Sequence, residues 1–281
     1  MLELKNRTPF RAAIVPFRDQ HGVDAAAVVV KGTFAWNRGA RGARGETELA
    51  IADEQLPIAR ADSFHGEPGL SSVRQEADTC PGKAGTDVVL VGHAYGGRGV
   101  TEVEVELAVG SIRKSVRVTG ERVYYRAGGA LRISDPTAFE KLPLVFERAY
   151  GGEDRSSPDS AHHEWEQRNP VGVGFVARQS KKDLEGERLP NLEYPGLFIR
   201  GPEDRPPPAG FGFVARHWLP RRQYAGTYDE RWERERRPAL PEDFDPRFFH
   251  GAPVDQTTPR PLRGGERLHA TGVRPGGVPV D

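Results

Sequence analysis

Residues 101–119 read Thr101-Glu102-Val103-Glu104-Val105-Glu106-Leu107-Ala108-Val109-Gly110-Ser111-Ile112-Arg113-Lys114-Ser115-Val116-Arg117-Val118-Thr119. Val103, Val105, Leu107 and Val109 alternate with Glu102, Glu104, Glu106 and Ala108. After Gly110-Ser111 the alternation resumes, with Ile112, Lys114, Val116 and Val118 on one face and polar residues between them. A period of two is the side-chain period of a strand. Gly-Ser has the composition of a two-residue hairpin turn. The stretch therefore predicts an antiparallel pair with one buried and one solvated face.

Working outward, residues 23–36 are rich in Val, Thr and aromatics, which suits a half-buried pleated surface. They follow His21-Gly22 and lead into a turn-rich segment, residues 37–45. A polar loop with Pro57, Pro68 and Pro81 then reaches Thr86-Asp87-Val88-Val89-Leu90-Val91-Gly92, which reads as a buried strand. A second turn at Thr119-Gly120-Glu121 precedes Val123-Tyr124-Tyr125.

Beyond residue 142 the alternation gives way to knots of Gly, Pro, Asn and aromatic residues, with residues 159–167 as a candidate short helix. The chain holds 33 Gly and 24 Pro among 281 residues, an excess that disfavours helix bundles and coiled coils. Disorder is disfavoured by 37% hydrophobic residues, four Trp and a formal net charge of zero. The expected fold is mainly β, with antiparallel sheets in a sandwich or barrel-like arrangement, long ordered Gly/Pro-rich loops and a few short helices. A single domain over residues 1–281 is expected, strand-rich over about 1–140 and loop-rich over about 141–281. The ending on Pro275-Gly276-Gly277-Val278-Pro279-Val280-Asp281, where another strand would be expected, reads as the truncated N-terminal part of a longer chain.

Forty basic and forty acidic residues cancel, so no global field recruits nucleic acid or an anionic membrane. The basic run at residues 231–237 is interleaved with Glu233 and Glu235, as in a solvated, internally paired surface. The longest apolar stretches, residues 25–30 and 88–91, are too short to span a bilayer, and the amino terminus lacks a signal-peptide core. A cytoplasmic protein is expected. The single Cys80 allows no internal disulfide and no structural CxxC zinc site.

Tests for chemistry return little. Asn169-Pro170-Val171-Gly172-Val173-Gly174 supplies two glycines without the strand-to-helix context of a phosphate loop. His162-His163-Glu164-Trp165-Glu166 combines imidazoles and carboxylates without the His-Glu-x-x-His spacing that puts two ligands on one helix face. Cys80 stands near Lys83, which would lower its pKa, and no Gly-x-Ser-x-Gly elbow occurs. His217 could serve as a base, and Asp243 with Asp245 could do acid–base work. An enzyme on a β scaffold, hydrolytic or carbohydrate-acting and using Asp243, His217 or His162, is the alternative function. No catalytic, metal or cofactor-binding residues are assigned.

What stands out is a surface composition. Trp218, Tyr224, Tyr228, Trp232, Phe244, Phe248 and Phe249 fall close to Arg221, Arg222 and Arg231. Trp, Tyr, Phe and Arg are the residues enriched at protein interfaces, but aromatics also staple irregular loops to a core. Residues 218–232 are accordingly expected to line or brace a partner-binding surface. Replacing Arg221 and Tyr228 by Ala should then weaken binding with little loss of stability.

The knots, taken in order, carry a resemblance. They are Lys83-Ala84-Gly85-Thr86-Asp87-Val88 with Gly92-His93-Ala94-Tyr95, Val118-Thr119-Gly120-Glu121-Arg122, and Pro143-Leu144 through Glu147-Arg148-Ala149-Tyr150-Gly151-Gly152. Asn169-Pro170-Val171-Gly172, Leu189-Pro190-Asn191, Ala209-Gly210-Phe211-Gly212, Trp218-Leu219-Pro220-Arg221 and Ala225-Gly226-Thr227-Tyr228-Asp229 with Trp232 come next. Leu240-Pro241-Glu242-Asp243-Phe244-Asp245 and Phe248-Phe249 leading to Ala252-Pro253-Val254-Asp255-Gln256 complete the series. This ordered set resembles the bacterial domain-of-unknown-function family 2169 (DUF2169), whose members are encoded beside type VI secretion tip proteins. The resemblance implies an adaptor or chaperone, not an enzyme, that binds a toxic effector in the producing cell and helps load it onto the PAAR and VgrG spike. Some relatives continue into pentapeptide repeats. The expected protein-binding residues are Tyr150, Asn169, Trp218, Arg221, Tyr224, Tyr228, Asp229, Trp232, Asp243 and Phe244. The expected partners are the effector and the spike proteins, with no nucleic acid, membrane, disulfide partner or cofactor.

Overall fold

The computed structural model describes residues 3–19, 21–41, 47–83 and 85–275. Strands account for 31% of the chain and helices for 9%, so the fold is mainly β. Its first elements are two ribbons. In one, β1 (Arg11–Arg18) pairs antiparallel with β2 (Asp24–Lys31). In the other, β3 (Phe34–Arg41) pairs with β4 (Thr47–Ile51), with a register shift between Trp36 and Arg41. The turn expected over residues 37–45 is thus strand as far as Arg41, and residues 42–46 lie outside the described residues.

The centre of the molecule is the hairpin of β5 (Glu102–Val109) and β6 (Ile112–Thr119), with Val109 opposite Ile112 and Val103 opposite Val118. Gly110 takes φ +58°, a left-handed value that a side chain makes costly and that the right-handed twist of a two-residue hairpin requires. Facing positions across the pair share one side of the sheet, so Val105, Leu107, Val109, Ile112, Val116 and Val118 are buried together. Glu102 and Glu106 lie on the other side, where they meet Arg117 and Arg113. Two strands flank the hairpin, β7 (Leu192–Glu193) against β6 and β8 (Leu268–Thr271) against β5. The sheet order is β7-β6-β5-β8. Phe146, Phe211 and Trp218 cover its apolar face, the Phe146 and Trp218 rings meeting edge to face at 5.3 Å.

Among the described residues every other strand belongs to a two-stranded pair, so much of the backbone must find hydrogen bonds elsewhere. Buried side-chain amides supply them. Asn169 Nδ2 donates to the carbonyls of Phe146 and Tyr150, Asn191 Nδ2 to Thr119, and Gln256 Nε2 to Val88 and Phe211. The buried strand expected at residues 86–92 is one consequence. Only Thr86–Asp87 forms a ladder, with Thr257–Thr258, while the N–H groups of Val88 and Leu90 donate to Gln256 and Phe211. Val91 is exposed.

The helix expected at residues 159–167 is reduced to one 3-10 turn, Ser160–His162, capped by the Asp159 carboxylate, and Glu164–Trp165 then pairs with Glu153–Asp154. Among the described residues there are two α-helices, both short: α1 (Leu219–Arg222) and α2 (Glu230–Glu235). A second cluster of Tyr124, Tyr150, Phe175, Ala177, Leu189 and Ile199 anchors the loops of the later half. Residues 276–281, most of the segment on which the expectation of a truncated chain rested, lie outside the described residues.

Candidate functional site

A groove of about 720 Å³ opens between the N-terminal ribbon and the body of the protein. One wall is the end of β2, residues 28–31, with Gly32 after it. The other is residues 75–81, with Phe213, Arg216, Phe248 and Phe249. Four consecutive residues of one strand, Val28–Lys31, followed by Gly32, line it, although successive side chains of a strand point to opposite faces, which places the groove along the side of the strand. The apolar surface comes from Val28 and Val30, both exposed, and from the half-buried Phe213, Phe248 and Phe249. Phe244 packs behind the last two, with ring centroids 5.7 Å and 5.2 Å away.

The charged groups around this groove are paired with one another. Lys31 Nζ meets Asp78 at 2.7 Å, and the same carboxylate accepts the Ala59 N–H at 2.6 Å. Glu76 Oε1 accepts from Arg216 Nε at 3.0 Å and from Arg221 Nη2 at 2.8 Å. Asp87 accepts from Lys83, from the ring of His250 and from the Gly251 N–H. Burial opposes ionisation of Asp87, yet these donors hold its pKa below the usual carboxylate range. What the groove offers a ligand is therefore apolar surface beside paired charges and the exposed Gln75, a combination suited to a polypeptide segment.

The sequence-predicted residues divide by depth. Trp218, Tyr150, Asn169, Arg221 and Phe244 are buried and stand behind the surface, where they can brace it but do not line it. Trp218 and Phe244 pack inside. Tyr150 belongs to the second cluster, where burial pushes its hydroxyl up to about 12. Asn169 bonds the loop backbone, and a Cβ at the neighbouring Gly151, whose φ is +153°, would strike the Asn169 carbonyl.

Arg221 is the brace of the groove. Its guanidinium donates to Glu76 Oε1, to the Val214 carbonyl at 2.9 Å and to the Phe248 carbonyl at 2.9 Å, joining three segments that carry or adjoin the lining. Tyr224 is half-buried under Arg247, 4.3 Å from its ring centroid. Tyr228, Asp229 and Asp243 are exposed. Asp229 caps α2 by accepting the Trp232 N–H, and Trp232, edge-on to Tyr228 at 4.6 Å, donates Nε1–H to the Ala239 carbonyl. Asp229, Trp232 and Asp243 line a second concavity of about 360 Å³. The expectation missed the β2 edge, although its signal, the uncharged run over residues 25–30, was visible.

The groups considered for catalysis are held apart in structural roles. Asp243 accepts both the N–H and the hydroxyl of Thr227, at 2.9 Å and 2.8 Å, which lowers its pKa. Asp245 is engaged with Arg247. His217 is edge-on to Trp218, and burial together with Arg222 lowers its pKa. His162 pairs with Asp159 and His163 with the Ser157 carbonyl. Cys80 lies in the groove wall, but burial outweighs Lys83 and raises its thiol pKa, the reverse of an activated nucleophile. Among the described residues no three His, Cys, Asp or Glu side chains gather as a metal set, and no helix is long and apolar enough to cross a membrane.

No curated protein and no solved structure matches the chain. The knots braced around Asn169, Arg221 and Gln256 are the segments on which the family resemblance rested. Residues 21–280 match the family described as "Uncharacterized protein conserved in bacteria (DUF2169)", and the protein belongs to that family.

Proposed function

We propose that the protein is a type VI secretion adaptor that holds a toxic effector in the producing cell and presents it for loading onto the PAAR and VgrG spike. The observation that carries this reading is the groove between β2 and the Phe213, Phe248 and Phe249 wall, where exposed valines stand beside Gln75, Lys83 and Arg216, and which is locked from behind by Arg221 on Glu76, Val214 and Phe248. Preorganised concave surfaces with aromatic anchors favour protein ligands, because little ordering entropy is lost on binding. The same features suit a carrier, which must grip without altering its cargo. The family resemblance supplies the class of partner.

The test is a pull-down of the tagged full chain with the products of the genes adjacent to its own, followed by size exclusion over a range of salt concentrations. The effector should co-migrate with the chain even in high salt, since apolar contacts are not screened as charge pairs are. Separate migration of every neighbouring product at all salt concentrations would remove the adaptor reading.

A further inference from the structure

We propose that the outer edge of β2 is a strand-addition site, at which an extended segment of a partner protein joins the N-terminal ribbon as its third strand. The argument begins with the register of that ribbon. The Asp19 N–H donates to the Val23 carbonyl at 3.0 Å, so this pair is hydrogen-bonded across the hairpin. Antiparallel pairs alternate between bonded and non-bonded. The register then makes Phe17 opposite Ala25, Val15 opposite Ala27 and Ala13 opposite Val29 the bonded pairs. The intervening residues of β2, Ala26, Val28 and Val30, turn their N–H and C=O groups away from β1. None of these groups makes a hydrogen bond among the described residues.

Native proteins blunt such edges with charges, prolines or bulges, because a free row of backbone donors and acceptors recruits another strand. The two edges of this ribbon are treated differently. In β1 the outward-facing position opposite Ala26 is Pro16, which has no N–H to offer. In β2 no charge, proline or glycine interrupts residues 25–30. The outward-facing Val28 and Val30 are among the residues that line the groove, so a strand added there would lie near Phe213, Phe248 and Phe249. Val28 and Val30 expose 63% and 57% of their surface and would pack against alternate side chains of the incoming segment. The occupant that fits is an uncharged, β-branched stretch in extended conformation. This deepens the adaptor reading and rests on it only for the identity of the partner.

The test separates the two. The full chain is mixed at millimolar concentration with the capped octapeptide Lys-Thr-Val-Thr-Val-Thr-Val-Lys, and backbone amide exchange is followed residue by residue. The amides of Ala26, Val28 and Val30 should slow at least twofold, while those of Ala12 and Ile14 on the other edge keep their rates. Val28→Pro removes an outward donor without breaking a bond to β1, and should abolish the slowing. Ile14→Pro does the same on the opposite edge and should leave it intact.

Unchanged rates at Ala26, Val28 and Val30 would overturn the proposal even if the pull-down succeeds. Slowing of these amides while no neighbouring product is retained would uphold the edge and remove the adaptor reading. Slowing that grows with the concentration of the chain alone would assign the edge to a second copy and overturn the proposal as stated. Circular dichroism of both proline variants guards against loss of fold. If Val28→Pro unfolds the ribbon, the peptide-dependent exchange of the unaltered chain still decides.

Discussion

Lys114 occupies an inward position of β6, between Ile112 and Val116 on the same face. Its ammonium is enclosed, donating to the Gly210 carbonyl at 2.5 Å and to Asp255 at 3.0 Å, beside the rings of Tyr194 and Phe211. Burial outweighs the Asp255 carboxylate and draws its pKa from 10.5 down to about 8. Between those values the unfolded chain holds a proton that the folded chain has released, so stability rises with pH across that window. The depression withholds roughly 3 kcal/mol from the fold below pH 8. The thermal midpoint of the wild-type chain should therefore climb between about pH 8 and 10 relative to Lys114→Met, whose curve lacks this contribution. Parallel curves would show that Lys114 does not titrate there. The alternation in the sequence places Lys114 on the apolar face; what it could not reveal is that the loops holding Gly210 and Asp255 close over the charge.

At the scale of elements, Arg221 in α1 ties together segments that share no ladder. Arg221→Ala strands the Val214 and Phe248 carbonyls and leaves Glu76 to Arg216. Breaking a buried pair from one side costs about 3–5 kcal/mol, which in a chain of this length lowers the thermal midpoint by roughly 5–10 °C. Tyr228, 53% exposed, should move it by no more than about 1–2 °C on replacement by Ala. Differential scanning calorimetry of the two variants tests the assignment of Arg221 as a brace; a midpoint unchanged in both would refute it. Composition alone could not separate these residues, because interfaces and stapled loops draw on the same Trp, Tyr and Arg. The β5–β6 hairpin was legible because eight inward positions, seven of them apolar, repeat with one period. Residues 86–92 were not, because a short apolar run looks the same whether a strand or a set of loop carbonyls receives its N–H groups.

Across the whole molecule, the strand-rich and loop-rich halves share one sheet and one core. β7 and β8 come from the later half and flank β6 and β5 of the earlier one, and Phe146, Phe211 and Trp218 complete the core over them. Residues 1–140 expressed alone should consequently lack the cooperative unfolding transition and dispersed amide resonances of the full chain. A folded fragment would show that the central hairpin does not need its flanking strands. The change of grammar near residue 142 was real in sequence but marks a change in how backbone groups are satisfied, from ladders to buried amides such as Asn169, Asn191 and Gln256. Pro16 has a consequence of its own at this scale. Open-ended fibres form when the front of one copy fits the back of the next. Pro16 leaves the outward row of β1 one donor short where β2 has a full row, so the two edges of the ribbon are unequal and head-to-tail growth of sheet from copy to copy is disfavoured on the β1 side.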